Sequence, residues 1–458
     1  MELIKPSIPK GTRDFLPEQM LRRQMVMTTI KTIFEKYGYE PLETPSFEKL
    51  EILTGKYGEE GEQLIFKILK RGTGIEKVGR EIKEFTISQI TDLVEEALRY
   101  DLTVPLCRVV AMYQNEIPVP FKRYQMQPVW RADRPQKGRY REFYQCDADT
   151  VGSASMLADA ETIALINEIL STLGFKKFKI RINNRKILSG IVEYSGVAVD
   201  RGNEVCIAID KLEKIGIDGV KQELEEREIT ASAIQKILPI LEISGDPKTV
   251  LTDVAALLVD SRIGSEGVAE IQALLSFIEN LGVPPTNYAI DLYLARGLSY
   301  YTGPIYESVV EEPKIGSLTG GGRYDELVGM FLGQNIPATG TTIGIERIID
   351  VMSELNMLPE IKTKTQVLVT IFDESTRQAS LATAKNLRAA GINTEVFFDA
   401  GGLKRQFKYA DKKGIPFVVI LGPDEIANQK ITLKNLTTAE QASLSLEQVI
   451  SRLQNTSV

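Results

Sequence analysis

The chain of 458 residues contains no histidine and only three cysteines. Without histidine, a Ser-His-Asp triad, an imidazole general base and a histidine-ligated metal are all excluded. The cysteines, Cys107, Cys146 and Cys206, lie far apart and form no CxxC pattern. A disulfide framework and a thiolate zinc site are therefore not supported, and no protein-ligated metal is expected. Chemistry must use arginine, lysine, carboxylate, tyrosine or backbone groups, or a bound ion.

Long apolar runs are missing as well. No stretch approaches the roughly 20 consecutive apolar residues of a membrane-spanning helix, and the N-terminal residues lack the apolar block of a signal peptide. With 43% apolar and 26% charged residues, the chain can bury the cores of two or three domains. We therefore expect a cytoplasmic protein without a membrane partner.

Basic residues are concentrated in one segment of an otherwise acidic chain. The formal net charge is −7, which argues against a protein that coats nucleic acid through its overall charge. Residues 122–141 nevertheless hold seven basic residues against the single acid Asp133. Such a concentration favours a polyanionic ligand, for example phosphate groups.

Apolar periodicity divides the first part of the chain into segments of different character. Residues 18–37 are predicted to form a long helix, and residues 55–95 resemble a hairpin with a mobile connection. The segment 98–151 is predicted to form antiparallel strands broken by a charged loop. A helix is predicted over 154–173.

The later part of the chain changes style twice. Residues 185–285 are predicted to be largely helical and to be inserted between two strand-rich regions. After a polar linker at 359–364, strands alternate with helices. That alternation predicts a separate small α/β domain with parallel strand pairing.

The segment VWRADRPQKGRYREFYQ indicates a strand, a loop and a returning strand. Arg131 ends the first strand, whereas Arg139, Arg141 and Phe143 alternate along the second and would share one sheet face. Guanidinium groups bind phosphate with two hydrogen bonds, and an aromatic ring stacks on a purine. This face therefore favours a nucleoside triphosphate over the alternative of a solvated charged hairpin.

A glycine-rich strand, GTTIGIERI, leads into a helix that Arg347 opens. Its guanidinium is placed to reach a terminal phosphate, although such a strand often means only close packing. The chain has no GxxxxGK[ST] sequence and no early GxGxxG sequence. ATP binding of the P-loop or Rossmann kind is therefore disfavoured.

Two further segments combine polar groups with glycines or with a strand. ARGLSYYTG and GGGRYD favour a pocket for a small polar ring, with a tight aromatic turn as the alternative. In YQCDADTVG, three polar residues share one strand face, which is costly to bury without a ligand but ordinary if exposed to solvent. These polar residues are Gln145, Asp147 and Asp149.

Taken together, these segments resemble the three motifs of class II aminoacyl-tRNA synthetases. GYEPLETPSFE, with Pro45, is similar to motif 1, VWRADRPQKGRYREF to motif 2 and GTTIGIERI to motif 3. RGLSYYTG and GGGRYD resemble the two signatures of the histidyl-tRNA synthetase family. The resemblance covers essentially the whole chain. It implies an α/β multidomain fold with an antiparallel β-sheet core flanked by helices.

The resemblance also implies domain bounds and an activity. Residues 1–184 with 286–358 would form the catalytic domain, 185–285 a helical insertion and 365–458 an α/β anticodon-binding domain. The implied reaction activates L-histidine with ATP and Mg²⁺ to histidyl-adenylate and then charges the 3′ end of histidine tRNA. A homodimer through motif 1 is also implied.

For ATP, the resemblance implies that Arg131 contacts the α-phosphate and Arg139 and Arg347 the γ-phosphate, while Phe143 stacks on adenine. Arg296 would bridge the histidine carboxylate and the α-phosphate. Positive charge fixed where charge develops on phosphorus is the expected source of rate acceleration. No general base is needed, because the attacking group is already a carboxylate.

For histidine, the resemblance implies that the α-amino group is bound by Asp101, Thr103 and Gln145. Asp149 and Tyr301 would hydrogen-bond the imidazole, in a pocket completed by Tyr300 and Tyr324. Such a pocket rejects apolar side chains of similar shape, since its polar groups would be left unpaired.

For tRNA, Gln136 resembles part of the loop that approaches the acceptor end. In the C-terminal domain a basic helix face suits RNA phosphates, with a solvated lysine face as the alternative. Its residues are Lys404, Arg405, Lys408 and Lys412. One departure from the family signature is Ser299, where many members carry aspartate; serine can hydrogen-bond but supplies no negative charge to orientate Arg296.

Two other functions remain open at this stage. One is a non-catalytic, synthetase-like regulatory subunit of the histidine-biosynthesis ATP phosphoribosyltransferase. Such proteins generally lack the anticodon domain and core arginines, which are present here. The other is a tRNA-binding or signalling module without aminoacylation.

Overall fold

The computed structural model describes residues 4–71, 93–136, 138–295, 300–399 and 402–455. Contacts divide the chain into two compact units. The first comprises residues 1–13 with 26–357, and the second comprises 14–25 with 358–458. The domain bounds given above stay predictions.

Among the described residues, the first unit contains strands in two sheets. They are β1 (Glu40–Pro41), β2 (Phe47–Lys49), β3 (Lys67–Leu69), β4 (Val94–Leu98), β5 (Phe121–Trp130), β6 (Glu142–Val151), β7 (Phe178–Asn184), β8 (Tyr288–Ile290), β9 (Pro304–Val310), β10 (Thr319–Arg323) and β11 (Ala338–Ile343). The large sheet has the order β1-β5-β6-β11-β10-β9-β7-β8, and the small one β2-β4-β3. Apart from the parallel outer pairs β1–β5 and β7–β8, the large sheet is antiparallel, as predicted.

Helices surround these sheets and fill the segment between β7 and β8. In the first part of the chain they are the portion of Pro17–Lys36 from residue 26 onward, and Leu50–Leu53, Gly58–Gln63, Thr103–Met112 and Met156–Thr172. They continue as Arg185–Ser195, Gly202–Ile209, Leu212–Glu226, Ala231–Leu241, Pro247–Leu257, Arg262–Asn280, Gly329–Leu332 and Ile345–Glu354. The predicted helices near 18–37 and 154–173 and the helical character of 185–285 are confirmed. In the part of the chain that the structure describes, no helix is long and apolar enough to cross a membrane.

The prediction of a strand across LRYDLTVPLCRVVAMY is wrong for most of that segment, since Thr103–Met112 is a helix. Its several valines favoured a strand by propensity, but that preference is weak against tertiary packing. Asp101 accepts a hydrogen bond from the Val104 amide at 3.1 Å, which satisfies a donor at the start of the helix. Pro105 lies within the first turn, where a missing amide hydrogen is tolerated.

The segment 55–95 is described only in part. Gly58–Gln63 is a short helix, and β3 pairs antiparallel with β4. The predicted hairpin pairing is therefore present between Lys67 and Leu98. Residues 72–92, which would form its connection, lie outside the described residues.

In the second unit the described strands are β12 (Val367–Val369), β13 (Thr394–Val396), β14 (Phe417–Ile420), β15 (Ile431–Asn435) and β16 (Gln441–Leu444). Its helices are Arg377–Ala389, Leu403–Lys413, Pro423–Ala427 and Leu446–Gln454. The predicted parallel pairing is confirmed for β13–β12–β14. It is wrong for β14–β15 and β15–β16, which are antiparallel because their connections are too short for a crossover.

Candidate functional site

One cavity of about 400 Å³ opens on the face of the large sheet. Strands β6, β9, β10 and β11 contribute to its walls, together with the loop before β6 and the start of the helix Ile345–Glu354. Most of the residues predicted for ATP and histidine meet here. Those that line the cavity are Asp101, Thr103, Arg131, Arg139, Phe143, Gln145, Asp149, Tyr300, Tyr301, Tyr324 and Arg347.

Residues of strand β6 line the cavity along its length. Phe143, Gln145, Asp147 and Asp149 occupy alternate positions and all line the cavity, as the period of a strand requires. Six residues of strand, from Phe143 to Asp149, span about 20 Å. The aromatic ring and the terminal carboxylate are therefore at opposite ends of the site.

Asp149 is fixed from both neighbouring strands. It lies opposite Arg123 in the β5–β6 register, and the two form an ion pair of 2.9 Å between side chains that are at most 4% exposed. Its other oxygen accepts a hydrogen bond from the Tyr324 hydroxyl at 2.5 Å. Across β11 the facing residue is Gly340, where a Cβ would lie 2.0 Å from the carboxylate. Glycine is therefore required there for the aspartate to fit.

Asp147 lies two residues before Asp149 on the same strand face. Its carboxylate accepts a hydrogen bond from the Thr342 hydroxyl at 2.7 Å, and Thr342 also accepts one from Gln145 at 3.0 Å. Burial raises the pKa of Asp147, and the neighbouring carboxylate of Asp149 acts in the same direction, while Arg123 opposes them. Burial likewise raises the pKa of Asp149. Two buried carboxylates facing one guanidinium favour a ligand that donates hydrogen bonds or carries positive charge.

Asp101 and Gln145 bring further acceptors into the cavity. Asp101 holds the Val104 amide and the Tyr57 hydroxyl with one oxygen, at 3.1 and 3.0 Å. The other oxygen of Asp101 and the side-chain oxygen of Gln145 are buried without a hydrogen-bond partner among the described residues. Burial raises the pKa of Asp101. Such unsatisfied acceptors match the donors of an ammonium group.

Arg131 is held between two aromatic rings. Its guanidinium lies 4.2 Å from the ring centre of Tyr100 and 5.3 Å from that of Phe143, and its Nε donates to the Tyr100 carbonyl at 3.1 Å. Stacking leaves the remaining donors of a planar guanidinium available at its edge. Arg131 is therefore orientated before any ligand binds.

The other two guanidiniums approach the cavity from separate segments. Arg347 donates to the Ser317 carbonyl at 2.7 Å, whereas Arg139 is more exposed and lies 3.7 Å from Asp133. Gly138 adopts a positive φ of 72° at the loop tip, close to the Arg347 side chain. The loop and the helix start are therefore neighbours, as binding one phosphate chain would require.

Other predicted residues fall elsewhere. The predicted strand face shared by Arg139, Arg141 and Phe143 is wrong, because β6 begins only at Glu142. Arg139 still lines the cavity from the loop, whereas Arg141 donates to the Asp133 carbonyl at 3.1 Å. Gln136 forms an isolated bridge with Arg139 in the loop. Arg296 and Ser299 lie outside the described residues, so their predicted roles stay predictions.

Sequence reasoning did not predict the contacts that connect the N-terminal segment to the cavity wall. Arg13 forms an ion pair of 2.5 Å with Glu346, which lines the cavity, and lies 3.3 Å from the ring centre of Tyr140. Glu346 also accepts a hydrogen bond from the Tyr144 amide at 3.3 Å. The sequence signal that could have identified Glu346 is its position next to Arg347, which was predicted to bind phosphate.

In the second unit the helix Leu403–Lys413 carries the predicted basic residues. Lys404, Arg405, Lys408 and Lys412 are all exposed. Phe398, which follows β13, has 91% of its surface exposed and was not predicted as a functional residue. An exposed aromatic ring in the same unit as a basic helix suits stacking with an unpaired base.

Comparison with known proteins gives a consistent result. The family model described as "Histidyl-tRNA synthetase" matches residues 11–348, and "Anticodon binding domain" matches 366–456. Curated proteins called histidine–tRNA ligase are similar over nearly the whole chain. That of Cytophaga hutchinsonii is 47% identical over 98% of this chain and 99% of its own, and that of Bacteroides fragilis is 45% identical over the same shares. The crystal structure of histidyl-tRNA synthetase from Nostoc sp. has a TM-score of 0.84 at 35% identity, covering 99% of each chain.

Proposed function

The chain belongs to the histidyl-tRNA synthetase family, and from that premise we propose which of its residues serve each part of the reaction. It is an aminoacyl-tRNA synthetase that activates histidine with ATP and transfers the histidyl group to histidine tRNA. The alternative of a regulatory subunit of the ATP phosphoribosyltransferase is not favoured, because the relatives that match the whole chain are histidine–tRNA ligases.

The proposal rests chiefly on the arrangement along β6. Phe143 and Arg131 mark the ATP end of the cavity, and Asp149 with Tyr324 marks the opposite end. Adenine would lie on Phe143 and the imidazole would reach Asp149 and Tyr301. Gln145, between them on the strand, would hold the α-amino group together with Asp101 and Thr103.

In the activation step, the histidine carboxylate attacks the α-phosphate and pyrophosphate leaves. Arg131 would stabilise the charge that develops at the α-phosphate, and Arg139 and Arg347 would hold the departing phosphates. Because the guanidiniums of Arg131 and Arg347 are held by hydrogen bonds before the reaction, little reorganisation of these two groups accompanies the change in charge. The proposed bridging role of Arg296 completes this set.

ATP is used with Mg²⁺ in this family, and the residues present fit such an ion. Mg²⁺ prefers oxygen ligands and is usually held by one or two carboxylates together with the substrate phosphates. Among the described residues, no group of three or more possible ligands forms a metal site on its own. Asp133 lines the cavity and would supply a carboxylate together with the substrate phosphates. The ion would neutralise phosphate charge when bound.

The proposal extends to tRNA, subunits and location. Gln136 would approach the acceptor end, and Lys404, Arg405, Lys408 and Lys412 would contact anticodon-loop phosphates. A homodimer through the segment around Pro45 and a cytoplasmic location are also proposed. Size-exclusion chromatography with light scattering tests the dimer, since a monomer at micromolar concentration would contradict it.

Histidine-dependent ATP–pyrophosphate exchange tests the assignment of the two ends. We expect exchange with histidine and none with glutamine or phenylalanine. Asp149→Asn should raise the KM for histidine by at least tenfold and leave the KM for ATP within twofold. Asp253→Asn, at an exposed position far along the chain, is the control. An equal rise in both KM values would contradict the assignment.

A further inference from the structure

Arg181 lies in the middle of β7, outside the set of residues that line the cavity. Its side chain is 12% exposed. In the register of the sheet it lies directly opposite Glu307 of β9 and next to β8, which ends one residue before Asp291. A buried arginine at this place needs several acceptors to satisfy its five donors.

Three carboxylates from separate parts of the chain supply those acceptors. The Nε of Arg181 donates to Asp291, and the two terminal nitrogens lie 2.8 Å from Glu213 and 3.4 Å from Glu307. Burial alone would lower the pKa of Arg181, but the carboxylates, with Asp291 first, raise it. Arg181 is therefore charged and fixed in direction.

Glu307 connects this guanidinium to the cavity. Glu307 lines the cavity, and its second oxygen accepts a hydrogen bond from the Ser317 hydroxyl at 2.5 Å. The carbonyl of Ser317 in turn accepts the hydrogen bond from Arg347 at 2.7 Å. A continuous chain of contacts therefore runs from Arg181 through Glu307 and Ser317 to Arg347.

The charge of Glu307 explains why this chain matters for ATP. A carboxylate that lines a phosphate site repels phosphate and competes for its guanidiniums unless it is paired. Arg181 lies directly opposite Glu307 on the neighbouring antiparallel strand, so the two side chains share one face of the sheet and Arg181 pairs Glu307 from beside the cavity. Ser317 is held by Glu307, so that its carbonyl keeps the position that orientates Arg347.

We infer that Arg181 is a positioning residue for ATP, which acts through Glu307 and Ser317 on Arg347. The inference deepens the proposed function, because it rests on the assignment of Arg347 to the γ-phosphate. Arg181 touches no substrate. It pairs the Glu307 carboxylate at the cavity wall and thereby sets the direction of the Arg347 guanidinium, which is assigned to the substrate.

Pyrophosphate exchange with separate titrations of ATP and histidine tests the inference. Arg181→Met should raise the KM for ATP on the order of tenfold, about 1.4 kcal/mol, with the KM for histidine within twofold. Arg181→Lys should give an intermediate KM for ATP, because an ammonium keeps the charge but cannot contact several carboxylates in fixed directions. The melting temperature of each variant is measured alongside, and Arg181→Lys keeps the test usable if Arg181→Met does not fold.

Glu213→Gln is the matched control. It removes one carboxylate from the same guanidinium, but Glu213 is 58% exposed and belongs to the helix Leu212–Glu226. Both KM values should stay within twofold. Glu307→Gln should raise the KM for ATP, and combining it with Arg181→Met should add less than the two separate effects, because both act on one chain of contacts.

The outcomes separate this inference from the proposed function. If Arg347→Ala raises the KM for ATP but Arg181→Met and Arg181→Lys do not, the positioning role of Arg181 is wrong and the assignment of Arg347 to ATP stands. If Arg347→Ala leaves the KM for ATP unchanged, the proposed function itself is contradicted at that residue. In the Arg181 variants, a fall in kcat with both KM values unchanged would also contradict the positioning role of Arg181. So would a rise in the KM for histidine that is larger than the rise in the KM for ATP.

Discussion

The cavity of the first unit and the basic helix of the second unit use charge in opposite ways. In the cavity, Arg123 and Asp149 are almost fully buried and paired, and Arg131 is held between aromatic rings. On the helix Leu403–Lys413, Lys404 and Lys408 extend into solvent. Buried, fixed charges can discriminate between ligands by geometry, whereas exposed lysines supply attraction that salt screens. The two regions should therefore respond differently to mutation and to salt.

The largest effect is expected for Arg131, whose guanidinium is held by the contacts described above. Arg131→Ala should lower kcat of pyrophosphate exchange by about 10²–10³-fold, since it would remove preorganised charge from the proposed α-phosphate site. The loss should be similar at 50 and 300 mM salt. Arg134→Ala is the control, because Arg134 is an exposed arginine of the same loop. If the loss of kcat in Arg131→Ala were present at 50 mM salt and absent at 300 mM, Arg131 would act only as a screened surface charge.

The next effect tests whether the cavity depends on exact shape. Gly340→Ala would place a Cβ 2.0 Å from the Asp149 carboxylate and 2.8 Å from the Ala148 carbonyl. We expect the KM for histidine to rise by about tenfold or more, as overpacking costs about 1–3 kcal/mol. Gly402→Ala, which meets open space in the second unit, serves as the control. A variant with an unchanged KM for histidine would mean that Asp149 is not rigidly held.

A smaller effect concerns the stability of the unliganded cavity. Burial raises the pKa of Asp147 to about 8 from the ordinary 3.8. The folded state then binds more protons than the unfolded state between these values, so the free energy of unfolding should fall as pH rises from about 5 to 8. Asp147→Asn should reduce this fall, as measured by urea denaturation.

The groups that face Asp147 in that experiment include Asp149, Asp101 and Arg123. Asp253→Asn, at an exposed site, should leave the pH dependence unchanged. If the Asp147→Asn variant showed the same slope as the parent protein, Asp147 would be ionised in the folded state across the whole range.

The smallest effect is expected on the basic helix. Lys404→Ala combined with Lys408→Ala should raise the KM for tRNA a few-fold at 50 mM salt, with little change at 300 mM and none in pyrophosphate exchange. Lys385→Ala with Lys430→Ala changes the net charge equally at exposed sites of the same unit and should have less effect. Equal effects of the two pairs would assign tRNA attraction to overall charge instead of this helix.

Much of the site could be predicted because chemistry and sequence spacing coincide there. Alternation along β6 placed Gln145, Asp147 and Asp149 on one face, and the structure brings all three to the cavity. The same reasoning failed for Arg139 and Arg141, since it assumed that the strand began before Glu142. It also failed for the helix at 103–112, where valine-rich sequence favoured a strand and the hydrogen bond between Asp101 and the Val104 amide was not foreseen.

The sequence by itself determined the kind of chemistry and the order of the parts. The absence of histidine restricted the chemistry to arginine, lysine, carboxylate, tyrosine or backbone groups or a bound ion, and the arginine-rich loop favoured phosphate as the ligand. The alternation of strands and helices after residue 364 identified the α/β character of the second unit.

Only the tertiary structure decided which distant residues share one environment. Arg13 meets Glu346 across 333 positions, and Arg181 meets Glu307 across 126. Spacing along the chain carries no information about such pairs, because strand order in the sheet, and not sequence order, sets which side chains are neighbours. The pairing of charged side chains around the cavity is therefore decided by the tertiary structure.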